Sequence, residues 1–166
     1  MSYVFFQNDL NNYKFNALSS FPSASKLFDT INKKHDSAIL VNEKDIIIDE
    51  DSNLKTGVII DATGGPVIIG KNVVIDIGAL IQGPVFIDDN SYIAAGSKIR
   101  PHTYIGKNSK VGGEVSCSII GNYSNKAHDG FLGHSFIGDW VNIGAGTNNS
   151  NLKNNYNSIK FNFGDR

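Results

Sequence analysis

The residues best able to do chemistry lie in one part of the chain, residues 125–157. His128 stands in the run Asn125–Gly133, and Asn142 follows fourteen residues after it. An imidazole titrates near neutral pH, so His128 can act as a general base. The structural alternative is a histidine satisfied by backbone groups of an irregular loop. The Asn-rich stretch Asn148–Asn157 is either a set of amide ligands or low-complexity chain.

Composition and charge exclude several classes of function. The 15 basic and 16 acidic side chains give no electrostatic case for binding nucleic acid or an anionic membrane. No apolar run approaches the ~20 residues of a membrane span, so we expect a soluble protein. The single cysteine, Cys117, excludes an intramolecular disulfide and fits the reducing cytoplasm. Nothing beside Cys117 supplies a base, which favours a small core residue over a nucleophile.

A six-residue period runs through the centre of the chain. Eight β-branched aliphatics recur at this spacing: Ile69, Ile75, Ile81, Ile87, Ile93, Ile99, Ile105 and Val111. An earlier block has the same six-residue spacing but is out of step with the eight: Ile48, Leu54 and Ile60. The turn-rich insertion Ala62–Pro66 lies between the two blocks and accounts for the change in phase. An amphipathic helix repeats near 3.6 residues, so this period excludes it. Three hexads forming the sides of a triangular coil satisfy the spacing, which predicts an all-β parallel β-helix.

The chain before the repeat differs in pattern. The segment from Ser23 to Lys34 carries apolar residues at helical spacing, with Pro22 just ahead, and predicts one short helix. We therefore divide the chain into an N-terminal helical cap, residues 1–45, and a β-helix, residues 46–166. The cap would cover the open first coil.

The six-residue spacing is interrupted between Gly112 and Leu132. A solenoid tolerates insertions where function needs a loop, so we expect a loop around His128 to interrupt the coil.

These features resemble a known family. The hexads, the His128-x-x-Phe131-Leu132-Gly133 step and the run Asn142–Thr147 are similar to the acetyltransferase domain of N-acetylglucosamine-1-phosphate uridyltransferases. Residues 112–156 are most similar to a sugar-nucleotidyltransferase-like branch, and the resemblance covers about residues 55–160. It implies a left-handed coil, a homotrimer with sites between subunits, and acetyl transfer from acetyl-CoA. The acceptor would be an amino-sugar phosphate, similar to glucosamine-1-phosphate, or a nucleotide sugar.

The resemblance also implies roles for charged residues. His128 matches the base that takes a proton from the attacking amine. Arg100 matches an arginine that binds the substrate phosphate, and its alternative is a solvated corner residue. Glu114 matches a carboxylate that faces the sugar, and its alternative is a surface charge.

Further positions match around the sugar and the thioester. Asn142 and Asn151 match amide groups there, with a stacked Asn ladder as the alternative reading. Ala145 matches a residue whose backbone lies near the thioester of acetyl-CoA. Phe131 stands where the enzymes carry a tyrosine, so one hydrogen bond to substrate is missing. Lys153 could neutralise substrate or CoA phosphates, and the alternative is an ordinary solvated surface lysine.

Two departures keep other functions open. The 45 leading residues hold no nucleotidyltransferase domain, so no uridyl transfer is expected. The enzymes continue with CoA-binding coils where this sequence ends at Arg166, which leaves a non-catalytic trimer or a sugar-phosphate binder as the alternative.

A second alternative is a γ-class carbonic anhydrase, a prism that holds zinc with three histidines. The candidates are His102, His128 and His134, at steps of 26 and 6 residues. The anhydrase pair is normally five apart, so the fit is poor and we expect no metal.

Overall fold

Parallel strands in three sheets make up residues 37–149, the part of the chain that the computed structural model describes. Sheet 1 contains β1 (Ile39–Val41), β4 (Ile59–Asp61), β7 (Leu80–Gln82), β10 (Lys98–Ile99), β13 (Glu114–Ser116) and β16 (Phe131–Gly133). Sheet 2 contains β2 (Ile46–Ile48), β5 (Val67–Ile69), β8 (Val85–Ile87), β11 (Thr103–Ile105), β14 (Ile119–Ile120) and β17 (Phe136–Ile137). Sheet 3 contains β3 (Asn53–Leu54), β6 (Val74–Ile75), β9 (Tyr92–Ile93), β12 (Lys110–Val111) and β15 (Asn125–Lys126). Successive strands pass from one sheet to the next, so each coil adds one strand to every side of a triangular prism.

The predicted aliphatic positions form the core of this prism. Each of the eight hexad aliphatics is at most 1% exposed. The strand register stacks them in columns, as where Ile69 pairs with Ile87 and Ile87 with Ile105. Burying each such side chain contributes ~1.5–3 kcal/mol, which explains how residues 37–149, with one short 3-10 helix, build a core. The prediction of an all-β parallel β-helix is confirmed, and the coil is consistent with the left-handed hexapeptide class.

Buried serines form a ladder at the corner between sheets 2 and 3. The hydroxyls of Ser52, Ser91, Ser109 and Ser124 each donate to a glycine carbonyl of the next coil. The oxygen of Ser109 also accepts a hydrogen bond from the backbone N–H of Ser124 at 3.1 Å. A turn exposes backbone groups that a sheet would pair, and a small hydroxyl can satisfy one donor and one acceptor of the next coil.

The coil extends further toward the N-terminus than the predicted boundary. Strand β1 pairs with β4, Ile39 opposite Ile59, so it belongs to sheet 1 although it lies within residues 1–45. A 3-10 helix at Glu43–Asp45 joins β1 to β2. The helix predicted from Ser23 to Lys34 lies outside the described residues. Within residues 37–149, no helix is long and apolar enough to cross a membrane.

The length of a coil changes along the prism. Ile48 pairs with Ile69, a coil of 21 residues that contains the predicted insertion Ala62–Pro66. Ile87 pairs with Ile105, but Ile105 pairs with Ile120, so the coil then shortens from 18 residues to 15.

This shortening corrects the expectation of an inserted loop around His128. Sheet 1 runs on from β10 through β13 to β16, and sheet 3 runs on from β12 to β15, without interruption. The corner between β12 and β13 holds only Gly112 and Gly113. The six-residue period is therefore interrupted because this coil has fewer residues in its corners. The strands of the three sheets continue through it.

Candidate active site

His128 lies at the corner where the chain turns from sheet 3 into sheet 1. The corner consists of residues 127–130, between β15 and β16. The side chains of His128 and Asp129 are both exposed there. An exposed imidazole at this edge can meet a ligand that lies against the outer face of sheet 1.

The corner of the next coil lies directly over the His128 corner. The backbone N–H of Gly146 donates to the carbonyl of Asp129 at 2.9 Å. Gly130 has a φ of 134°, and a Cβ there would lie 2.2 Å from the carbonyl oxygen of Thr147. Only glycine allows this approach. The stacking brings Ala145, predicted to lie near the thioester, to the same edge as His128.

Lys126 holds the His128 corner from inside the prism. Its side chain is 3% exposed and occupies the column that contains Ile93 and Val111. The ammonium donates to the carbonyls of Gly112 at 2.8 Å, His128 at 3.0 Å and Gly130 at 2.9 Å. Burial lowers the pKa of Lys126, and the carboxylate of Asp129 opposes that shift.

Sequence reasoning did not identify Lys126 as a site residue. Counting in sixes from Val111 arrives at Cys117, because the shortened coil moves the register. One signal was present: Ser124 stands two residues before Lys126, as Ser109 stands two before Val111 in the same columns.

Arg100 and Glu114 lie together on the outer face of sheet 1. Nη1 of Arg100 is 3.3 Å from Oε1 of Glu114. Glu114 is also the register partner of Phe131, the first residue of the strand that follows His128. The structure therefore brings three predicted substrate contacts onto the outer face of sheet 1: Glu114 and Phe131 lie at the edge where His128 is exposed, and Arg100 reaches Glu114 from the other end of β10.

Asn142 lies at the end of sheet 3, in the coil beyond His128. It forms a bridge with Asn125, whose side-chain nitrogen donates to the Oδ1 of Asn142 at 2.9 Å. The stacked asparagines considered as an alternative are thus present, while a substrate contact by Asn142 stays a prediction. Asn151 and Lys153 lie outside the described residues.

The three histidines of the zinc alternative do not occupy one corner of the chain. His102 and His134 lie at the corner between sheets 1 and 2, and His128 lies at the corner between sheets 3 and 1. Cys117 stacks between His102 and His134, and all three have positive φ angles. In residues 37–149, no three His, Cys, Asp or Glu side chains are arranged to hold a metal ion.

Sheet 2 presents an apolar outer face. Its central outward residues are in register across six strands: Ile47, Ile68, Phe86, Tyr104, Ile119 and Phe136. The rings of Phe86 and Tyr104 stack with centroids 5.4 Å apart. Burial and the nearby Asp88 carboxylate raise the pKa of Tyr104, whose hydroxyl donates to Asp88 at 3.0 Å. Ile68 is only 4% exposed and the other five side chains are partly buried, so much of this column is already covered within the single chain.

Comparison with known proteins found one similarity, which lies in the six-residue repeat. A family model described as bacterial transferase hexapeptide (six repeats) matches residues 66–101, from the residue before β5 to the residue after Arg100. A search of curated proteins found no match. The match covers the coils that carry the regular six-residue repeat, and these coils are similar to those of hexapeptide-repeat transferases.

Proposed function

We propose that this protein is an acetyl-CoA-dependent N-acetyltransferase that acts on an amino-sugar phosphate or a nucleotide sugar. The observation that supports the proposal most is the exposed His128 at a corner held from two sides. The ammonium of Lys126 binds its backbone from within, and the corner at Gly146 covers it from the next coil. A general base needs such a fixed backbone, because a displacement of about 1 Å can cost about a hundredfold in rate.

In the proposed reaction the neutral amine of the sugar attacks the carbonyl carbon of the acetyl thioester. The imidazole of His128 takes a proton from the nitrogen as the N–C bond forms. The tetrahedral intermediate then collapses, the C–S bond breaks, and the sulfur leaves as CoA thiolate, which takes up a proton. The products are the N-acetylated sugar phosphate and CoA, so atoms and charge balance.

In the proposed complex, the guanidinium of Arg100 binds the substrate phosphate. A guanidinium carries five N–H donors, and the contact with Glu114 uses one of them, so the side chain can bind a phosphate while Glu114 orients it. Glu114 then faces the sugar beside Phe131, and an apolar ring is suited to packing against a sugar face. Asn142, Asn151 and Lys153 are proposed as further contacts, and the backbone at Ala145 as a contact to the thioester.

We propose a homotrimer as the active form. The apolar column of sheet 2 is the proposed face between subunits, because burying the apolar area that its partly exposed side chains still present would contribute ~25 cal/mol for every Å². The outer rows of sheet 3 are polar by comparison, with Asn53, Lys110 and Asn125 among their residues.

A thiol-release assay tests the activity. Parent protein is incubated with acetyl-CoA and a panel of amino-sugar phosphates and nucleotide sugars, beside His128→Ala and the matched control His134→Ala. We expect release with at least one amino sugar, a loss of about 10²–10⁴-fold in His128→Ala and little change in the control. Absence of release with every acceptor contradicts the enzyme. Sugar-phosphate binding without release would instead support the non-catalytic binder, and activity that survives His128→Ala rejects the assigned base.

A further inference from the structure

Lys126 is unusual for its position in the core. Its column is otherwise apolar in the preceding coils: the register aligns it with Leu54, Ile75, Ile93 and Val111. Ile143 of the following coil packs against the same core. An aliphatic side chain therefore satisfies the packing of this column, whereas a buried ammonium costs several kcal/mol unless it is hydrogen-bonded. The lysine must be explained by what its ammonium contacts.

The geometry of the corner explains the need for a donor. The preceding corner has two residues, Gly112 and Gly113, and the His128 corner has four, residues 127–130. Carbonyls of these two corners lie outside the regular strand pairing, although the carbonyl of Gly130 also accepts from the backbone N–H of Glu114 at 3.2 Å. Three of them accept from Lys126, at 2.8 Å from Gly112, 3.0 Å from His128 and 2.9 Å from Gly130. All three N–H donors of the ammonium thus have an acceptor.

We propose that Lys126 is a positioning residue for His128, an inference that rests on the proposed acetyl transfer. Its ammonium holds the carbonyls of His128 and Gly130 and ties both to Gly112 of the preceding coil. The direction of the His128 Cα–Cβ bond is fixed by that backbone, so Lys126 sets where the imidazole lies relative to Glu114 and Phe131. An aliphatic residue at position 126 preserves the core but releases the corner.

The test compares Lys126→Met with Lys110→Met. Methionine has a similar length without donors and suits an apolar column. Lys110 lies on the same sheet one coil earlier, with an exposed side chain, and serves as the matched control. Three measurements are made: thermal unfolding by circular dichroism, the imidazole NMR signals of His128, His102 and His134, and steady-state kinetics for the amino sugar.

We expect Lys126→Met to unfold cooperatively, to shift or broaden the His128 imidazole signals, and to leave those of His102 and His134 in place. The kcat should fall about tenfold to a hundredfold, with the KM of the sugar changed less than about twofold, because binding groups are untouched. Lys126→Arg, which keeps the donors, should recover part of kcat.

Unchanged His128 signals in folded Lys126→Met overturn the proposal. Loss of the fold in both Lys126 variants also overturns it, because Lys126 would then support the coil as a whole. The NMR signals need no turnover, so they test Lys126 even if the parent releases no CoA. That outcome would reject acetyl transfer and leave the structural link between Lys126 and His128 standing.

Discussion

Arg100 and Glu114 come from adjacent coils and form an ion pair, with 3.3 Å between Nη1 and Oε1. Both side chains remain partly exposed, at 51% and 32%. An exposed pair of this kind contributes only ~0–1 kcal/mol to stability, so its main effect is to orient the guanidinium over sheet 1. This orientation leads to a prediction about the substrate phosphate.

Arg100→Gln should weaken binding of glucosamine-1-phosphate by about tenfold, because a hydrogen bond to a charged group is worth ~1.5–3 kcal/mol and exposure reduces it. Binding of glucosamine, which lacks the phosphate, should not change. Isothermal titration calorimetry at low salt measures both. Lys98→Gln, two residues earlier on the same face, is the control. Equal weakening by the two variants would indicate a general effect of positive charge and remove the specific role of Arg100.

The serine ladder predicts a stability effect at Ser109. Ser109→Ala removes the hydroxyl that donates to Gly121 at 2.8 Å and accepts from the N–H of Ser124 at 3.1 Å. Leaving these buried groups without partners should lower the free energy of unfolding by ~1–3 kcal/mol. Urea denaturation measures the difference. Lys110→Ala, at the exposed neighbouring residue, should change it by less than ~0.5 kcal/mol. A Ser109→Ala protein as stable as the parent would show that the ladder is dispensable.

The fold could be predicted because it depends on a local repeat. Side chains such as Ile87 and Ile105 recur at multiples of six, and a triangular coil is the structure that buries them all. Candidate site residues could be named only where they matched a motif, as His128 and Arg100 do, and their roles stay predictions. The ion pair of Arg100 with Glu114 depends on the length of the coil between them. That length changes at the two-residue corner Gly112–Gly113, and no residue type in the sequence predicts the change.

The change in coil length also explains why Lys126 was not predicted as a core residue and why a loop was wrongly expected around His128. A count in sixes assumes coils of 18 residues, and the coil from Val111 to Lys126 has 15. Because of the three missing residues, the count does not place Lys126 in the column of buried aliphatic side chains. It also makes a deletion from the corners look like an inserted loop. Periodicity thus predicts which side chains are buried, but stacking decides which ones meet across coils.

Asp76 should titrate well below an ordinary aspartate. Its carboxylate accepts from the Tyr92 hydroxyl, from the N–H of Ile77 at 2.8 Å and from Lys55 at 3.0 Å, which lowers its pKa to about 2 from 3.8. The hydrogen bond from Tyr92 is the largest cause, so Tyr92→Phe should raise the pKa of Asp76 toward 3.8. NMR titration of the carboxyl carbon measures it, and Lys55→Gln should raise it less.

The sign of the pH effect follows from the lowered pKa. The folded state holds the ionised carboxylate more strongly than the unfolded state does, so the stabilisation is complete above about pH 4. It is lost as the pH falls from about 4 toward about 2. The stability difference between parent and Tyr92→Phe should shrink over that interval. An Asp76 that titrates identically in both proteins would contradict the assigned contact.

The apolar column of sheet 2 predicts how the subunits associate. Phe86→Arg places a cation in the middle of the column, next to Ile68 and Tyr104. If this face packs between subunits, an unpaired buried charge there should dissociate the trimer, because its desolvation costs several kcal/mol. Size-exclusion chromatography with light scattering should report about three times the 18.0 kDa chain mass for the parent and one chain mass for Phe86→Arg.

Val74→Arg provides the matched control, since Val74 is an outward β-branched residue at the equivalent place on sheet 3, paired with Tyr92. It should remain trimeric if sheet 3 faces solvent. Dissociation by Val74→Arg with a trimeric Phe86→Arg would move the interface to sheet 3, and a monomeric parent would reject the trimer altogether. Because a site between subunits needs a neighbour beside His128, Phe86→Arg should also lose acetyl transfer while its coil remains folded by circular dichroism.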